Sequence, residues 1–179
     1  LHETIGPNSS ENAYDHYVSV LADKTGSLIA ASAQLGAMLS DADKSFIPAL
    51  NSFGEKIGVA FQLIDDVIDI SEEGPSGKTP GTDLRAGVPT LPTLLLQRSA
   101  EAGDAKAAEI LAAIEAGLEE DSALEAVLRD LRSHTVFSDS LAEAQRWATD
   151  AIEDLAPLPD GKVKAALTTF AQAVVDRNN

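Results

Sequence analysis

Apolar side chains recur at helical spacing over most of the chain. Across residues 13–40 they follow one another at intervals of three and four, which predicts a helical segment. A glycine within Lys24–Ser27 interrupts this pattern, so we expect a kink or break there. A second long helix is predicted to begin after a capping aspartate, Asp41 or Asp43, and to run to about Ile70.

The rest of the chain is predicted to be helical after one long irregular stretch. Residues 71–90 carry four glycines and three prolines, and loops of this length in compact domains are usually functional. Further helices are predicted at roughly 91–101, 104–117, 120–132, 138–156 and 162–176, with a helix breaker, PLPDG, at 157–161. No segment alternates between apolar and polar positions as a strand does. We therefore predict an all-α fold of antiparallel helices, in which residues 1–179 are part of a single domain.

The composition narrows the class of protein. Of the 179 residues, 44% are hydrophobic, which is typical of a globular chain, and the formal net charge of −16 argues against binding to nucleic acid or an anionic membrane. There is no cysteine, so disulfides and thiolate metal sites are excluded. No apolar run has the length of a membrane span and no signal-peptide pattern is present, so we expect a cytoplasmic protein. Because the chain begins at Leu1 rather than at methionine, we also expect an upstream part.

Three carboxylates lie within an otherwise apolar segment, VAFQLIDDVIDI at residues 59–70. On a helix, Asp65 and Asp69 lie on one face a turn apart, and Asp66 lies about 100° around from Asp65. Two such charges ~4 Å apart repel by roughly 4 kcal/mol at an effective dielectric of about 20. A cation is therefore expected to compensate them. Oxygen ligands without nearby histidine or cysteine suit a hard cation, Mg²⁺ or alternatively Mn²⁺.

A simpler alternative is that some of these aspartates face solvent on an amphipathic helix, which is the commoner outcome for an isolated DDxxD pattern. The apolar residues before and between the aspartates weigh against this alternative. A carboxylate-bridged di-iron bundle is disfavoured because no ExxH pattern lies nearby.

A glycine-rich segment, GKTPGTDLRAGVPTLP, follows the aspartates and contains Lys78, Asp83 and Arg85. Its glycines allow close approach of the backbone to a ligand, and Lys78 can act as a point charge on a phosphate. The segment lacks the GxxxxGK spacing of a Walker A loop and does not follow a strand. An isolated lysine in such a loop is usually solvated, so the phosphate-binding role depends on the rest of the pattern.

A third segment, LADKTGSLIAAS, places Lys24 and Thr25 at the expected kink. Lys24 either satisfies carbonyls released by the kink or clamps a phosphate. Gln62, one turn before Asp66, is either a core hydrogen-bonding residue or a polar group that lines a cavity.

The three segments together resemble the C-terminal half of an all-trans polyprenyl diphosphate synthase. KTGSLIAAS at 24–32, GVAFQLIDDVIDI at 58–70 and GKTPGTDLRAGVPTLP at 77–92 follow that family's order and spacing, and the second of them is similar to its second aspartate-rich motif. The resemblance is strong over residues 1–100, whereas residues 101–179 resemble the family only in being helical. It implies a helical bundle of the isoprenoid synthase type that is incomplete at its N-terminus.

The resemblance also implies a Mg²⁺-dependent prenyltransferase. Such enzymes join an allylic diphosphate to isopentenyl diphosphate through an allylic carbocation. By matching position, Asp65, Asp66 and Asp69 would form a metal site, in which Asp65 is the best candidate for a direct ligand.

Four further residues acquire roles from the same resemblance. Lys24 and Lys78 would bind the allylic diphosphate. Thr25 and Gln62 would lie near the reacting carbon, where their oxygens could stabilise the cation. The family also implies a homodimer.

Several of the family's features are absent from these 179 residues. The first aspartate-rich motif and the basic residues that bind isopentenyl diphosphate lie upstream in the family, as do the residues that set product length. Val88 stands where many members have a lysine. We therefore expect a fragment that has no elongating activity by itself.

A non-catalytic subunit or regulatory scaffold of a heteromeric prenyltransferase is the main alternative function. The aspartates and lysines favour the enzyme, because a scaffold has no need of them. A terpene cyclase of the same helical fold is disfavoured by the aromatic content of 4%, because such sites are usually rich in aromatic side chains that guide cations.

Overall fold

Helices make up most of the structure, a computed structural model that describes residues 12–71 and 80–178. In chain order they are α1 (Ala13–Leu21), α2 (Ser27–Leu39), α3 (Ile47–Ile70), α4 (Thr82–Arg85), α5 (Leu91–Glu101), α6 (Ala105–Glu115), α7 (Asp121–Ser133), α8 (Thr135–Asp154) and α9 (Lys162–Val175). A π-helical turn, Ala22–Gly26, joins α1 to α2, and 3₁₀ turns lie at Lys44–Phe46 and Asp176–Asn178. No strand occurs within these described ranges, which confirms the all-α prediction. None of the helices described there is long and apolar enough to cross a bilayer.

The chain divides into two compact units, each with its own core. Unit 1 comprises Leu1–Gln62 and Ala144–Asn179, and unit 2 comprises Leu63–Glu143. The core of unit 1 includes Leu50, Phe53, Ile57, Ala148, Ala151, Leu155 and Val174. The core of unit 2 includes Ile70, Leu84, Leu96, Ile110, Leu124, Leu128 and Leu131. That residues 1–179 belong to one domain stays a prediction.

Helix α3 confirms the predicted long helix that ends at Ile70. Asp43 is the residue that caps its start, because the Asp43 carboxylate accepts a hydrogen bond of 2.9 Å from the Ser45 amide, at the head of the 3₁₀ turn that leads into α3. Asp41 instead lies in the preceding turn with a φ of 54°. Ile57 and Leu63 are fully buried, as the apolar sequence of the helix predicts.

The predicted kink near Lys24–Ser27 takes a different form in the structure. The helix does not break; it widens into the π-helical turn, in which the Ser27 amide donates to the Ala22 carbonyl five residues back. Gly26 itself has right-handed helical dihedrals (φ −56°, ψ −48°). Its backbone conformation therefore does not require glycine.

Close packing of main chains explains why Gly54 and Gly58 of α3 carry no side chain. A Cβ added to Gly58 of α3 would lie 2.5 Å from Gly26 Cα, and a Cβ added to Gly54 would lie 2.5 Å from Ala30 Cα. Because real Cβ atoms do not approach backbone atoms this closely, the backbone of α3 packs directly against the π-helical turn and α2. The spacing of four places both glycines on one face of α3.

Asp104 joins α5, α6 and the connection between α7 and α8 in unit 2. Its carboxylate caps α6 by accepting from the Lys106 amide at 2.9 Å and from the Ala107 amide at 3.1 Å. It also accepts from the Ser99 hydroxyl at 3.0 Å and lies 3.1 Å from His134 Nε2, between α7 and α8. The Ala107 amide, followed by the Ser99 hydroxyl, lowers the pKa of Asp104 below its ordinary value.

We expect Asp104→Ala to lower the melting temperature at neutral pH by a few degrees, because α6 loses its N-terminal cap. Since the pKa of Asp104 is lower in the folded than in the unfolded chain, its stabilisation is present above the unfolded pKa and is lost as the pH falls through the folded pKa. The difference in melting temperature between the variant and the parent chain should therefore become smaller below about pH 4. Thermal unfolding at a series of pH values measures the melting temperatures of both chains. If their difference did not change with pH down to about 2.5, the cap would not depend on the charge of Asp104.

Candidate active site

The three aspartates lie on the last two turns of α3, beside fully buried residues. Within the same turns, Leu63, Ile64 and Val67 have no exposed surface and Ile70 is 2% exposed. Asp65, Asp66 and Asp69 are each half-buried on the remaining face. The helical period thus separates an apolar side from an acidic side, and the acidic side stays close to the core of unit 2.

Asp66 stabilises the start of α5. Its Oδ2 accepts a hydrogen bond of 2.8 Å from the amide of Leu91, the first residue of that helix. The Thr90 amide, just before it, donates to Thr93 Oγ1 at 3.0 Å. A carboxylate at a helix N-terminus is favourable because it faces amides that have no partner within the helix.

Asp69 organises the turn before α4. Its Oδ1 accepts from the Thr82 amide at 3.2 Å and its Oδ2 from the Asp83 amide at 3.1 Å, while its main-chain carbonyl accepts from the Gly81 amide at 2.6 Å. Gly81 has a φ of 78°, a left-handed conformation that favours glycine. Burial, and then the charge of Asp83, raise the pKa of Asp69, and the amide hydrogen bonds oppose this increase only in part. A nearby cation would therefore stabilise the ionised carboxylate.

The donor set fits a magnesium ion that receives only part of its ligands from the chain. Within residues 12–71 and 80–178 there is no group of three Asp, Glu, His or Cys side chains with metal-binding geometry. Asp66 Oδ2 and both carboxylate oxygens of Asp69 accept from main-chain amides, and Asp65 is half-buried on the same two turns of α3. Mg²⁺ is commonly held by one or two carboxylates and completes its shell with water and substrate phosphates.

The other predicted site residues lie in unit 1 or outside the described residues. Lys24, which is exposed, and Thr25, which is half-buried, occupy the π-helical turn that packs on Gly58. Gln62 is half-buried one turn after Gly58 on α3. Lys78 lies outside the described residues. The structure thus places Lys24 and Thr25 beside the helix that carries Gln62.

Arg85, in the glycine-rich segment, forms an ion pair with Asp121 at the start of α7, with 2.6 Å between Nη2 and Oδ1. We assign it no catalytic role, because this exposed pair accounts for its charge.

Sequence reasoning missed Arg132, a residue of α7 that contacts the end of α3. Its Nε donates to the Ile70 carbonyl at 2.6 Å and its Nη2 to the Ser71 carbonyl at 2.9 Å. No local pattern could have indicated this contact, because the partners are 62 and 61 residues apart along the chain. The glycine pair in GEKIG was visible in the sequence as a small-xxx-small spacing, and it would have predicted the close packing of α3.

The polyprenyl synthetase family model matches residues 3–131, and the chain belongs to this family. It is 36% identical to the nonaprenyl diphosphate synthase of Mycobacterium tuberculosis over 179 residues, which cover 99% of this chain and 52% of the relative. It is also 31% identical to heptaprenyl diphosphate synthase component 2 of Bacillus subtilis, over 90% of this chain and 45% of the relative.

A solved structure shows the same fold. The geranylgeranyl pyrophosphate synthase of Corynebacterium glutamicum, complexed with calcium and isoprenyl diphosphate, superposes with a TM-score of 0.86 at 39% identity over 98% of this chain and 54% of that one. The helices described above therefore form the isoprenoid synthase fold, as the sequence resemblance implies. The chain spans about half the length of the relatives that it matches.

Proposed function

We propose that this chain is the C-terminal half of a polyprenyl diphosphate synthase, the half that binds the allylic diphosphate. The observation that carries the proposal is the arrangement at the end of α3. Asp66 and Asp69 hold the amides of Leu91, Thr82 and Asp83 at the acidic end of α3 through hydrogen bonds of 2.8–3.2 Å. Membership of the polyprenyl synthetase family supports the same assignment.

Asp65 is the residue that we assign as a direct metal ligand, and Asp66 and Asp69, on the same two turns of α3, would add negative charge to the metal site. When bound, Mg²⁺ would neutralise the charge that develops on the diphosphate as it leaves. The chain's part is to hold the acidic turn of α3 in a fixed shape, so that little reorganisation is required at the moment of reaction.

Lys24 and Lys78 are proposed to bind the oxygens of the allylic diphosphate. The C–O bond of that substrate breaks, and the diphosphate leaves with the electron pair. Thr25 and Gln62 stabilise the resulting allylic cation through their side-chain oxygens until the double bond of isopentenyl diphosphate attacks it. Loss of a proton then regenerates a double bond in the longer chain. Support comes from the packing of the π-helical turn that contains Lys24 and Thr25 against Gly58, one turn before Gln62 on α3.

Calorimetry with geranyl diphosphate tests the proposal on the chain itself. We expect binding that requires Mg²⁺, and only weak binding of Mg²⁺ when no diphosphate is present, because one to three carboxylates are too few ligands for an ion that dehydrates reluctantly. Inorganic sulfate with Mg²⁺ serves as the control for nonspecific anion binding. Equal affinity for geranyl diphosphate with and without Mg²⁺ would contradict the assignment of Asp65.

We expect the chain to show no elongating activity by itself. The reaction requires two diphosphates in one cavity, and these residues include a proposed site for only one of them. The measurement is an assay of purified 1–179 with geranyl diphosphate, labelled isopentenyl diphosphate and Mg²⁺. Any labelled, longer prenyl chain above a blank without protein would show that the upstream half of the relatives is dispensable.

A homodimer is the proposed assembly, and the exposed apolar face of α2 supports it. Leu28, Leu35, Met38 and Leu39 are 68%, 56%, 55% and 86% exposed on this one helix. Apolar patches beyond a few hundred Å² are seldom left exposed to solvent.

We expect Leu35→Glu and Leu39→Glu to lower the sedimentation coefficient towards that of a monomer. Gln97→Glu, which adds the same charge at an exposed position of α5, should leave the sedimentation coefficient unchanged. A monomeric parent chain would refute the dimer.

A non-catalytic subunit of a heteromeric synthase is the second candidate function. The heteromeric assembly, though not the absence of catalysis, is favoured by one observation, the similarity to a Bacillus subtilis protein that is named as component 2 of a heptaprenyl diphosphate synthase. Binding of geranyl diphosphate distinguishes the two candidates, because a scaffold has no reason to bind the substrate. The cytoplasmic location expected from the sequence stays a prediction.

A further inference from the structure

The C-terminal end of α3 has a partner for each of its last main-chain carbonyls. The Ser71 hydroxyl donates to the Val67 carbonyl at 2.8 Å, the Ser71 amide to Ile68 at 3.1 Å, and the Gly81 amide to Asp69 at 2.6 Å. The carbonyls of Ile70 and Ser71 both accept from Arg132. Carbonyls at a helix end have no partner within the helix, so these bonds decide whether the last turn keeps its shape.

Arg132 differs from the other partners of this helix end because it belongs to another helix and carries a charge. The fork of its guanidinium reaches two consecutive carbonyls at 2.6 and 2.9 Å, which a lysine ammonium cannot match with the same planar geometry. A positive charge is also favourable at a helix C-terminus, where the helix dipole is negative. Arg132 is half-buried, so these hydrogen bonds are less exposed to competition from water than those of a surface pair.

We propose that Arg132 is a positioning residue for the diphosphate site, because it fixes the turn of α3 that carries the aspartates. The proposal rests on the proposed function. Asp69 lies one residue before Ile70, and its carbonyl and carboxylate hold Gly81, Thr82 and Asp83. Fraying of this turn would therefore displace Asp69 and, through Asp66, the start of α5 at Leu91. Arg132 touches neither substrate nor metal in this scheme; it acts through the main chain of α3.

Arg132→Ala and Arg132→Lys test the proposal, with Arg129→Ala as the matched control. Arg129 lies on the same helix, and its side chain is 74% exposed next to Asp130, so its removal takes away the same charge without touching α3. Two quantities are measured well below the melting temperature: hydrogen exchange of the Gly81 and Leu91 amides, and the affinity for geranyl diphosphate with Mg²⁺. Arg132→Lys provides a milder variant if the alanine variant does not fold.

In Arg132→Ala we expect about tenfold faster exchange of both amides and about tenfold weaker binding of the diphosphate, because hydrogen bonds from a charged donor are lost. Arg132→Lys should have exchange rates and an affinity between those of Arg132→Ala and the parent chain. Arg129→Ala should match the parent chain in both quantities. Millimolar guanidinium should partly restore affinity in Arg132→Ala and leave the parent unchanged.

The outcomes separate this inference from the proposed function. A lower melting temperature of Arg132→Ala with unchanged affinity and unchanged exchange would show a general structural role and overturn the inference. Faster exchange with unchanged affinity would also overturn it, because the turn would then not position the site. A parent chain that does not bind geranyl diphosphate would overturn the proposed function, and the role of Arg132 at a diphosphate site would fall with it.

Discussion

Replacing Asp65 with alanine is expected to weaken Mg²⁺-dependent binding of geranyl diphosphate by about a hundredfold, because the loss of a positioned electrostatic partner in a site of this kind costs a few kcal/mol. The melting temperature should change little, since Asp65 is only half-buried and lies on the acidic side of α3. In a full-length synthase that contains these residues, the same change should lower kcat far more than stability, because the proposed metal contact strengthens as the leaving group gains charge.

Asp69→Ala is the reference for the loss of stability, because Asp69 belongs to the proposed metal site and also supports the turn before α4. This variant removes the acceptors of the Thr82 and Asp83 amides, so we expect it to reduce the free energy of unfolding by about 1 kcal/mol. Urea denaturation and calorimetry on both variants give the comparison. If Asp65→Ala destabilised the chain as much as Asp69→Ala and bound the diphosphate normally, Asp65 would have to be removed from the metal site.

Gly58→Ala is expected to lower the free energy of unfolding by about 2–3 kcal/mol. The added Cβ would lie 2.5 Å from Gly26 Cα and 2.7 Å from Gly26 N. Both are main-chain atoms, so no flexible side chain can move aside, and α3 or the π-helical turn must shift. Because Thr25 also lies close to this Cβ, with its carbonyl carbon at 3.1 Å, the shift should also alter the proposed diphosphate site.

Gly36→Ala is the matched control for this substitution. Gly36 lies within α2, and a Cβ added there meets nothing within 4 Å. Alanine has a higher helix propensity than glycine, so this variant should gain about 0.5–1 kcal/mol of stability. Chemical denaturation of both variants measures the difference, and a Gly58→Ala variant as stable as the parent would show that α3 does not pack directly on the π-helical turn.

Most helices were predictable because the spacing of apolar residues and the residues at helix ends are local features of the sequence. Helix α5 was predicted at 91–101 and runs Leu91–Glu101, since a proline follows its first residue and apolar positions recur at helical spacing. Helix α8 begins three residues before its predicted start at 138, because nothing in the local sequence marks its first turn. Helix α4 was missed altogether, because its four residues lie among the glycines and prolines of a segment that was predicted to be irregular.

The candidate site was predictable only in part, because spacing along a helix indicates a face but not a partner. Grouping Asp65, Asp66 and Asp69 on one acidic side follows from the helical period. That Asp66 would bind the amide of Leu91, 25 residues away, depends on how α3 and α5 pack. The contact of Arg132 with Ile70 has the same origin, since an arginine in an ordinary amphipathic helix looks solvated until its neighbour is known.

The π-helical turn between α1 and α2 has a consequence for how the chain tolerates changes in length. A π-helical turn holds one residue more than an α-helical turn over nearly the same rotation, so removing one residue from Ala22–Gly26 should close it into an ordinary helix and leave the orientation of α1 relative to α2 almost unchanged. Tyr14, whose hydroxyl lies 3.5 Å from Trp147 Nε1, would then keep its direction. Conversely, gaining a single codon in a continuous ancestral helix would be enough to create the widened turn that displays Lys24 and Thr25.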